Sequence, residues 1–448
     1  MTFVSAIIGN ILGYTVFKEL IVYMYYSNYS LPTYVTLWNP DAFIKTTIIP
    51  VVLMFVINLL VLIRMLRHTP LQFLRCDLKK NKRKKAMRLP RWNFLSRFRL
   101  RIIFQNIPNY LILFVGIAFI SIMLAMAIGM PSTLQYYKDN TKDMMFADYQ
   151  YVLKSYKDET GKEITTKNSD AEKFSMDSLL YKTDALDEEV SIYGVEDTSK
   201  YISLPDAKNL KEKEVYISKP FSDKYDVAVG DTVTLNAKYE KKKYLFKVKG
   251  FFEHSQSIAV FMPIEQYRTV FDKDEDAFDG FFTNTKIKDV KKDYIATVIT
   301  EREITKMSNQ LDHTMGSYML YFQFLCVVLS AVLIYLLTKI IIEKNEVAIS
   351  MTKILGYTDG EIAKLYLLAT TIVVIICAAL SVLVGTLVMR SVWTVMLQSM
   401  SGWFTFIMGP LDYFKMFAFI FVGYLVVMLF DFRRIRKIPL DEALKRVE

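Results

Sequence analysis

Apolar residues in this chain are gathered into six long runs, near 3–26, 44–64, 104–130, 316–342, 363–390 and 408–431. No Asp, Glu, Lys or Arg falls within 46–63, 102–137, 314–338 or 365–389. About 20 helical residues cross roughly 30 Å of hydrocarbon, so each run predicts a transmembrane helix. Residues 131–315 are patterned differently. Short alternating or β-branched stretches at 190–195, 214–218, 231–239, 243–253 and 258–264 predict strands, with Gly230-Asp231 turning into one of them. Between them, 219–226 and 265–272 predict short helices. The expected fold is a mainly α integral membrane protein with about six transmembrane helices and one α+β domain outside the bilayer.

Charge orients these elements. The 448 residues carry a net +10 and are 52% apolar. Segment 64–101 holds 14 Lys/Arg against one acid, Asp77, whereas 131–315 is net −6. A basic block between two spans predicts a cytoplasmic loop, because short loops rich in Lys and Arg stay inside. That places 131–315 outside, 343–362 inside and both termini inside a cell membrane. Arg433, Arg434, Arg436 and Lys437 after the sixth run agree. The same block leaves no need for a nucleic-acid partner. Of three cysteines, none lies in 131–315, so that domain folds without disulfides. Gly9 and Gly13 are spaced for close helix packing. The neighbours Lys18 and Glu19 point to different helix faces and are not expected to pair, with Lys18 reaching the outer interface.

The expected organisation is two transmembrane helices in 1–66, a basic loop in 67–103, a transmembrane helix in 104–130, the external domain in 131–315 and three transmembrane helices in 316–448. The last stretch includes the loop 343–362 and a cytoplasmic tail, 432–448. Pro-Leu recurs after the second and sixth runs, at 70–71 and 439–440, each beside basic residues. Pro opens a helix while Leu and the cations suit the lipid interface, an amphipathic foot on membrane lipid. On this repeat, 1–66 is expected to close a preceding set of spans. A missing permease half, or a second copy, then becomes an expected partner.

Loop 343–362 carries most of the local signal. The fourth span is expected to run on as helix to Leu355. Gly356 suits a C-terminal cap, and Thr358 with Glu361 forms a capping box for the next helix. Val347, Met351 and Ile354/Leu355 make a narrow apolar stripe. A stripe outside the bilayer needs a protein groove or the headgroup surface, and the pattern leaves both open.

Glu346-Val-Ala-Ile349, Lys353-Ile-Leu-Gly356 and Glu361-Ile362 resemble the signature loop of FtsX-like permeases. Val215-Tyr-Ile-Ser218, Val229-Gly-Asp-Thr-Val-Thr-Leu235 and Phe246-Lys-Val-Lys-Gly250 resemble the core of MacB-type external domains. The resemblance covers 104–448 and extends to 1–75 as the end of a preceding repeat. It implies the C-terminal portion of a two-repeat ABC-transporter permease. In such a permease Glu346, Val347, Met351, Lys353, Ile354, Leu355, Gly356 and Glu361 would contact an ATP-binding cassette subunit. The chain has no Gly-x4-Gly-Lys-[Ser/Thr] motif, so ATP is expected on that partner and no cofactor in this chain. His68, His254 and His313 lie in separate segments without ligand-spaced companions, and neither a metal site nor an enzyme is expected. The competing reading is a membrane sensor or scaffold with an external ligand-binding domain.

Overall fold

The computed structural model describes residues 2–26, 32–66 and 94–439, apart from 184, 206 and 256. Most of the basic loop, Cys76, the Pro70-Leu71 pair and 440–448 lie outside the described residues. Two compact units divide the chain, Met1–Phe98 and Arg99–Glu448. Six helices are long and apolar enough to cross a membrane, at Thr2–Tyr23, Pro40–Arg64, Ile107–Asp139, Tyr318–Lys344, Asp359–Gln398 and Pro410–Lys437. The protein is a multi-pass membrane protein with a separate β-rich domain.

In the first unit, α1 (Thr2–Leu12), a π turn (Gly13–Phe17) and α2 (Lys18–Tyr26) form one rod, which packs along α3 (Pro40–Leu66). Two expectations fail here. Among the described residues a Cβ on Gly9 or Gly13 would meet nothing within 4 Å, so neither glycine marks a close crossing with α3. Asn10 makes the helix contact instead: its Nδ2 donates to Thr47 at 2.8 Å and its Oδ1 accepts from Thr46 at 2.7 Å. An amide between apolar helices finds its partner across the interface, where no water competes. Lys18 and Glu19 do pair, at 3.2 Å. Their long side chains bend back over Tyr34, whose hydroxyl donates to Glu19 at 2.9 Å.

The second unit is a four-helix bundle carrying the β domain. After α4 (Phe94–Gln105), the bundle consists of α5 (Ile107–Asp139), α8 (Glu301–Lys344), α10 (Asp359–Gln398) and α11 (Pro410–Lys437). Leu113, Ile117, Ile120 and Leu124 of α5 pack against Ile334 of α8 and Val374, Ala378 and Val382 of α10. Small residues let the backbones close up. A Cβ on Gly385 would lie 2.7 Å from that of Ser121, so α10 and α5 cross there in near contact. Hydroxyls add cross-helix bonds, as between Thr371 and Tyr424 at 2.6 Å.

All five expected strands form: β3 (Asp187–Val195), β4 (Glu214–Ser218), β5 (Thr232–Ala237), β6 (Lys243–Phe252) and β7 (Ala259–Pro263). The expected short helices are α6 (Lys219–Tyr225) and α7 (Ile264–Val270). Four strands had no clear sequence signal: β1 (Tyr149–Leu153), β2 (Glu172–Lys182), β8 (Gly280–Thr283) and β9 (Ile295–Thr300). The order is β3-β7-β4-β6-β5-β2-β8-β1-β9, and β3 also pairs with β2. Six strands therefore close on themselves around Val190, Ile192, Ile217, Leu235, Phe246 and Val260. Closure removes the edges of that part of the sheet. The strands β8, β1 and β9 extend from it as a flap. Phe174 stacks on Phe282 where the two parts meet, with ring centroids 4.1 Å apart.

Candidate functional site

The β domain is strung directly between two bundle helices. α5 leads by a short turn into β1, and β9 passes through Thr300 straight into α8. Since β1 and β9 are paired neighbours, the two helices share one seat. Lys142 and Glu301 face each other across it at 3.5 Å.

The far end of the bundle holds the loop singled out by the sequence. α8 does not run on to Leu355. It stops at Lys344, and α9 (Glu346–Ile354) begins after Asn345. The Asn345 side chain donates through Nδ2 back to the Ile341 carbonyl at 2.6 Å. An asparagine that bonds its own helix backbone competes with the next helical hydrogen bond, and the helix is interrupted. The caps form as expected: Gly356 has φ +89, and Thr358 and Glu361 make a reciprocal capping box on α10.

Around α9, each bundle helix contributes a polar tie. Lys344 donates to Asn109 of α5 at 2.7 Å, and Arg434 of α11 pairs with Glu343 of α8 at 2.6 Å. Lys353 lies off the apolar stripe, its side chain only 9% exposed and turned into the chain. It pairs with Asp359 at 3.1 Å and donates to the carbonyls of Arg436 and Ile438 at 3.2 and 3.0 Å. The carbonyls ending α11 are free acceptors, and a lysine within reach satisfies them. Ile349 and Ser350 fix the inner face of α9, both fully buried. The outer face leaves Met351, Ile354 and Leu355 exposed at 60%, 50% and 73%. Val347 and Glu346 are half-buried, while Gly356 and Glu361 are exposed at the turn and cap.

At the near end is a contact that the sequence did not signal. Residues 399–409, between α10 and α11, press between the β domain and the bundle. Glu188 of β3 and Lys224 of α6 form a buried ion pair against this loop, their side chains 2% and 0% exposed. Lys224 also donates to the carbonyls of Met400 at 2.7 Å and Gly402 at 3.1 Å. Glu188 accepts from the Gly402 amide at 2.9 Å and from Tyr225 at 2.8 Å. Burial and that carboxylate push the Tyr225 phenol well above its usual range. Gly402 sits at φ +85, which a side chain would strain, and this turn aims both its amide and its carbonyl at the pair.

The same loop is bonded to the bundle on its other side. Thr133 of α5 bridges the amide and carbonyl of Ile407 at 3.0 and 2.9 Å. Tyr137 accepts from the Thr405 amide at 2.9 Å, and Trp393 of α10 donates to Phe404 at 3.1 Å. Phe406 lies so close that a Cβ on Gly129 would come within 2.2 Å of its ring. Glu188 and Lys224 are 36 residues apart and their loop partners some 180 further on, so no local pattern marks them.

No group of His, Cys, Asp or Glu suited to holding a metal occurs among the described residues. The chemistry of both ends is ion pairing and backbone capture.

No curated protein matches this chain. Among solved structures, the extracellular domain of YknZ, a noncanonic ABC-type transporter from Gram-positive bacteria, is 10% identical. The match covers 38% of this chain and 94% of that one at a TM-score of 0.22, a score that establishes no shared fold. The helices around α9 are another matter: residues 320–440, from the membrane part of α8 through α11, match the FtsX-like permease C-terminal family.

Proposed function

We propose that this chain is the permease subunit of an ABC transporter, with α9 docked on a nucleotide-hydrolysing partner and the β domain outside the membrane. The observation that carries the reading is the divided character of α9. Its inner face is fixed to the bundle by Ile349, Ser350 and Lys353, while Met351, Ile354 and Leu355 stand exposed beyond it. An apolar patch so rigidly presented fits a protein groove. The match of residues 320–440 to a permease family supports the same reading. The chain's own part is to transmit force, and ATP would be bound and hydrolysed by the partner.

Movement imposed on α9 would reach the β domain by two routes. One runs along α5 and α8 into β1 and β9. The other runs along α10 and α11 to the loop 399–409 and the Glu188–Lys224 pair. The test is co-purification of the ATPase with Met351→Asp and Leu355→Asp variants. A carboxylate driven into an apolar groove costs several kcal/mol if unpaired, so binding should fall by orders of magnitude while membrane insertion is kept. Undiminished binding by both variants would sink the assignment.

A further inference from the structure

The flap strands border a cleft of about 740 Å³ that the force-transmitting reading does not use. It lies on the face of β1 and β9 where Tyr149 and Tyr151 stack, their rings 6.2 Å apart. Four exposed cations rim it: Lys286 and Lys288 on one loop, Lys292 on a short turn and Arg302 on the first turn of α8. None of the four forms an ion pair among the described residues. The one acid lining the cleft, Glu303, has both oxygens held by Lys306 at 2.7 and 2.8 Å. Asp289, on the same loop, accepts from the Lys167 amide and the Thr166 hydroxyl at 2.6 and 2.8 Å. Those bonds leave Asp289 charged, but it does not line the cleft, where four cations face the single, already paired acid and leave an excess of positive charge.

Sheet topology supplies a second, independent feature. The closed part of the sheet has no edge, but β9 pairs with β1 on one side and ends the strand order on the other. Ala296 and Thr297 in it are exposed. An edge strand offers a row of unpaired backbone donors and acceptors to another extended chain. Natural edges are often guarded by a bulge or a proline; β9 has no proline, but a register shift opposite Val152 and Leu153 leaves Ala296 as an extra residue, so the regular edge open to addition is Thr297–Thr300.

We propose that this cleft is a docking site for an extended acidic segment of a partner protein, which adds to the β9 edge while its carboxylates meet the four cations. Strand addition takes affinity from main-chain hydrogen bonds and specificity from the side chains alongside. The cations are spread over a loop, a turn and a helix, which suits charges distributed along a chain better than one compact phosphate. Height argues against lipid headgroups. From Glu301 to residue 314, where the charge-free run of α8 begins, are 13 residues of helix, about 20 Å at 1.5 Å per residue. An occupant would touch both the flap and the first turn of α8, and so report on the seat that joins the β domain to the bundle.

The test needs no ATPase, so it stands or falls separately from the permease reading. The full chain in neutral lipid nanodiscs would be titrated with a fluorescent ten-residue peptide of alternating Glu and Val. Binding should weaken at least tenfold when Lys286, Lys288, Lys292 and Arg302 are all changed to Gln. It should also weaken as salt rises well above physiological strength, and vanish for a peptide with Lys in place of Glu. A peptide N-methylated at alternate amides, unable to pair along β9, should lose binding equally. Equal binding of the N-methylated peptide, or no effect of the four Gln changes, would overturn the proposal. So would polyphosphate that displaces the peptide at matched charge, or a preference for anionic vesicles over the peptide.

Discussion

Replacing Lys224 by Met tests the link between the β domain and the loop 399–409. The substitution keeps an unbranched stem, one heavy atom shorter, but removes the charge. Glu188, 2% exposed, would be left as a buried carboxylate with only the Gly402 amide and the Tyr225 hydroxyl for company. The carbonyls of Met400 and Gly402 would lose their donor as well. Removing one partner from a buried ion pair typically costs about 3–5 kcal/mol. The loop can relieve that cost by lifting away and letting water reach Glu188. The opening equilibrium of 399–409 should therefore shift by about two to three and a half orders of magnitude, at 1.4 kcal/mol per tenfold. Hydrogen exchange of peptides covering 399–409 reads this directly, with peptides from the α5–α10 contact around Ser121 and Gly385 as an internal control. A second variant separates charge from shape. Adding Glu188→Gln to Lys224→Met neutralises the stranded carboxylate and should restore more than half of the lost protection. Two outcomes would refute the reasoning: unchanged exchange in Lys224→Met, or a double variant that exchanges as fast as the single one.

Two further outcomes follow from the same structure. If the β domain lies outside and α9 inside, single cysteines introduced at Asn140 and Tyr239 should react with an impermeant maleimide in intact cells, whereas one at Leu355 should react only after lysis; labelling of Leu355 in intact cells would reverse the orientation. Asp170 is held well below the usual carboxylate range by Lys200 at 2.7 Å and then by the Asn284 amide at 2.8 Å. A depressed folded-state pKa adds stability above the unfolded value that is lost as pH falls through the folded one. The thermal midpoint should therefore drop on acidification below about pH 4, and Asp170→Asn should flatten that drop; an equally steep drop in the variant would show that Asp170 is not responsible.

Much of this protein was determined by its sequence alone, wherever the signal was local and periodic. The six spans were legible because hydrocarbon tolerates few charges, and windows such as 365–389 contain none. β5 and β6 were legible because Val233, Leu235, Phe246 and Val248 alternate with polar neighbours, burying one face of each strand. The Gly356 turn and the Thr358–Glu361 box were legible because caps are settled within four residues.

Tertiary structure decided what depends on distant partners. β1, β8 and β9 are short and framed by polar turns, so only pairing with one another and with β2 defines them as strands. Where the Lys353 side chain goes is decided by the end of α11, more than 80 residues away, whose carbonyls draw it inward. Gly9 and Gly13 have the spacing of a packing motif, but a glycine pair makes a contact only where another helix comes to meet it. Glu188 and Lys224 read in sequence as ordinary surface charges. Strand β3, helix α6 and a loop between two membrane helices bring them together and exclude water around them, and that burial makes a solvated pair into a joint between domain and membrane.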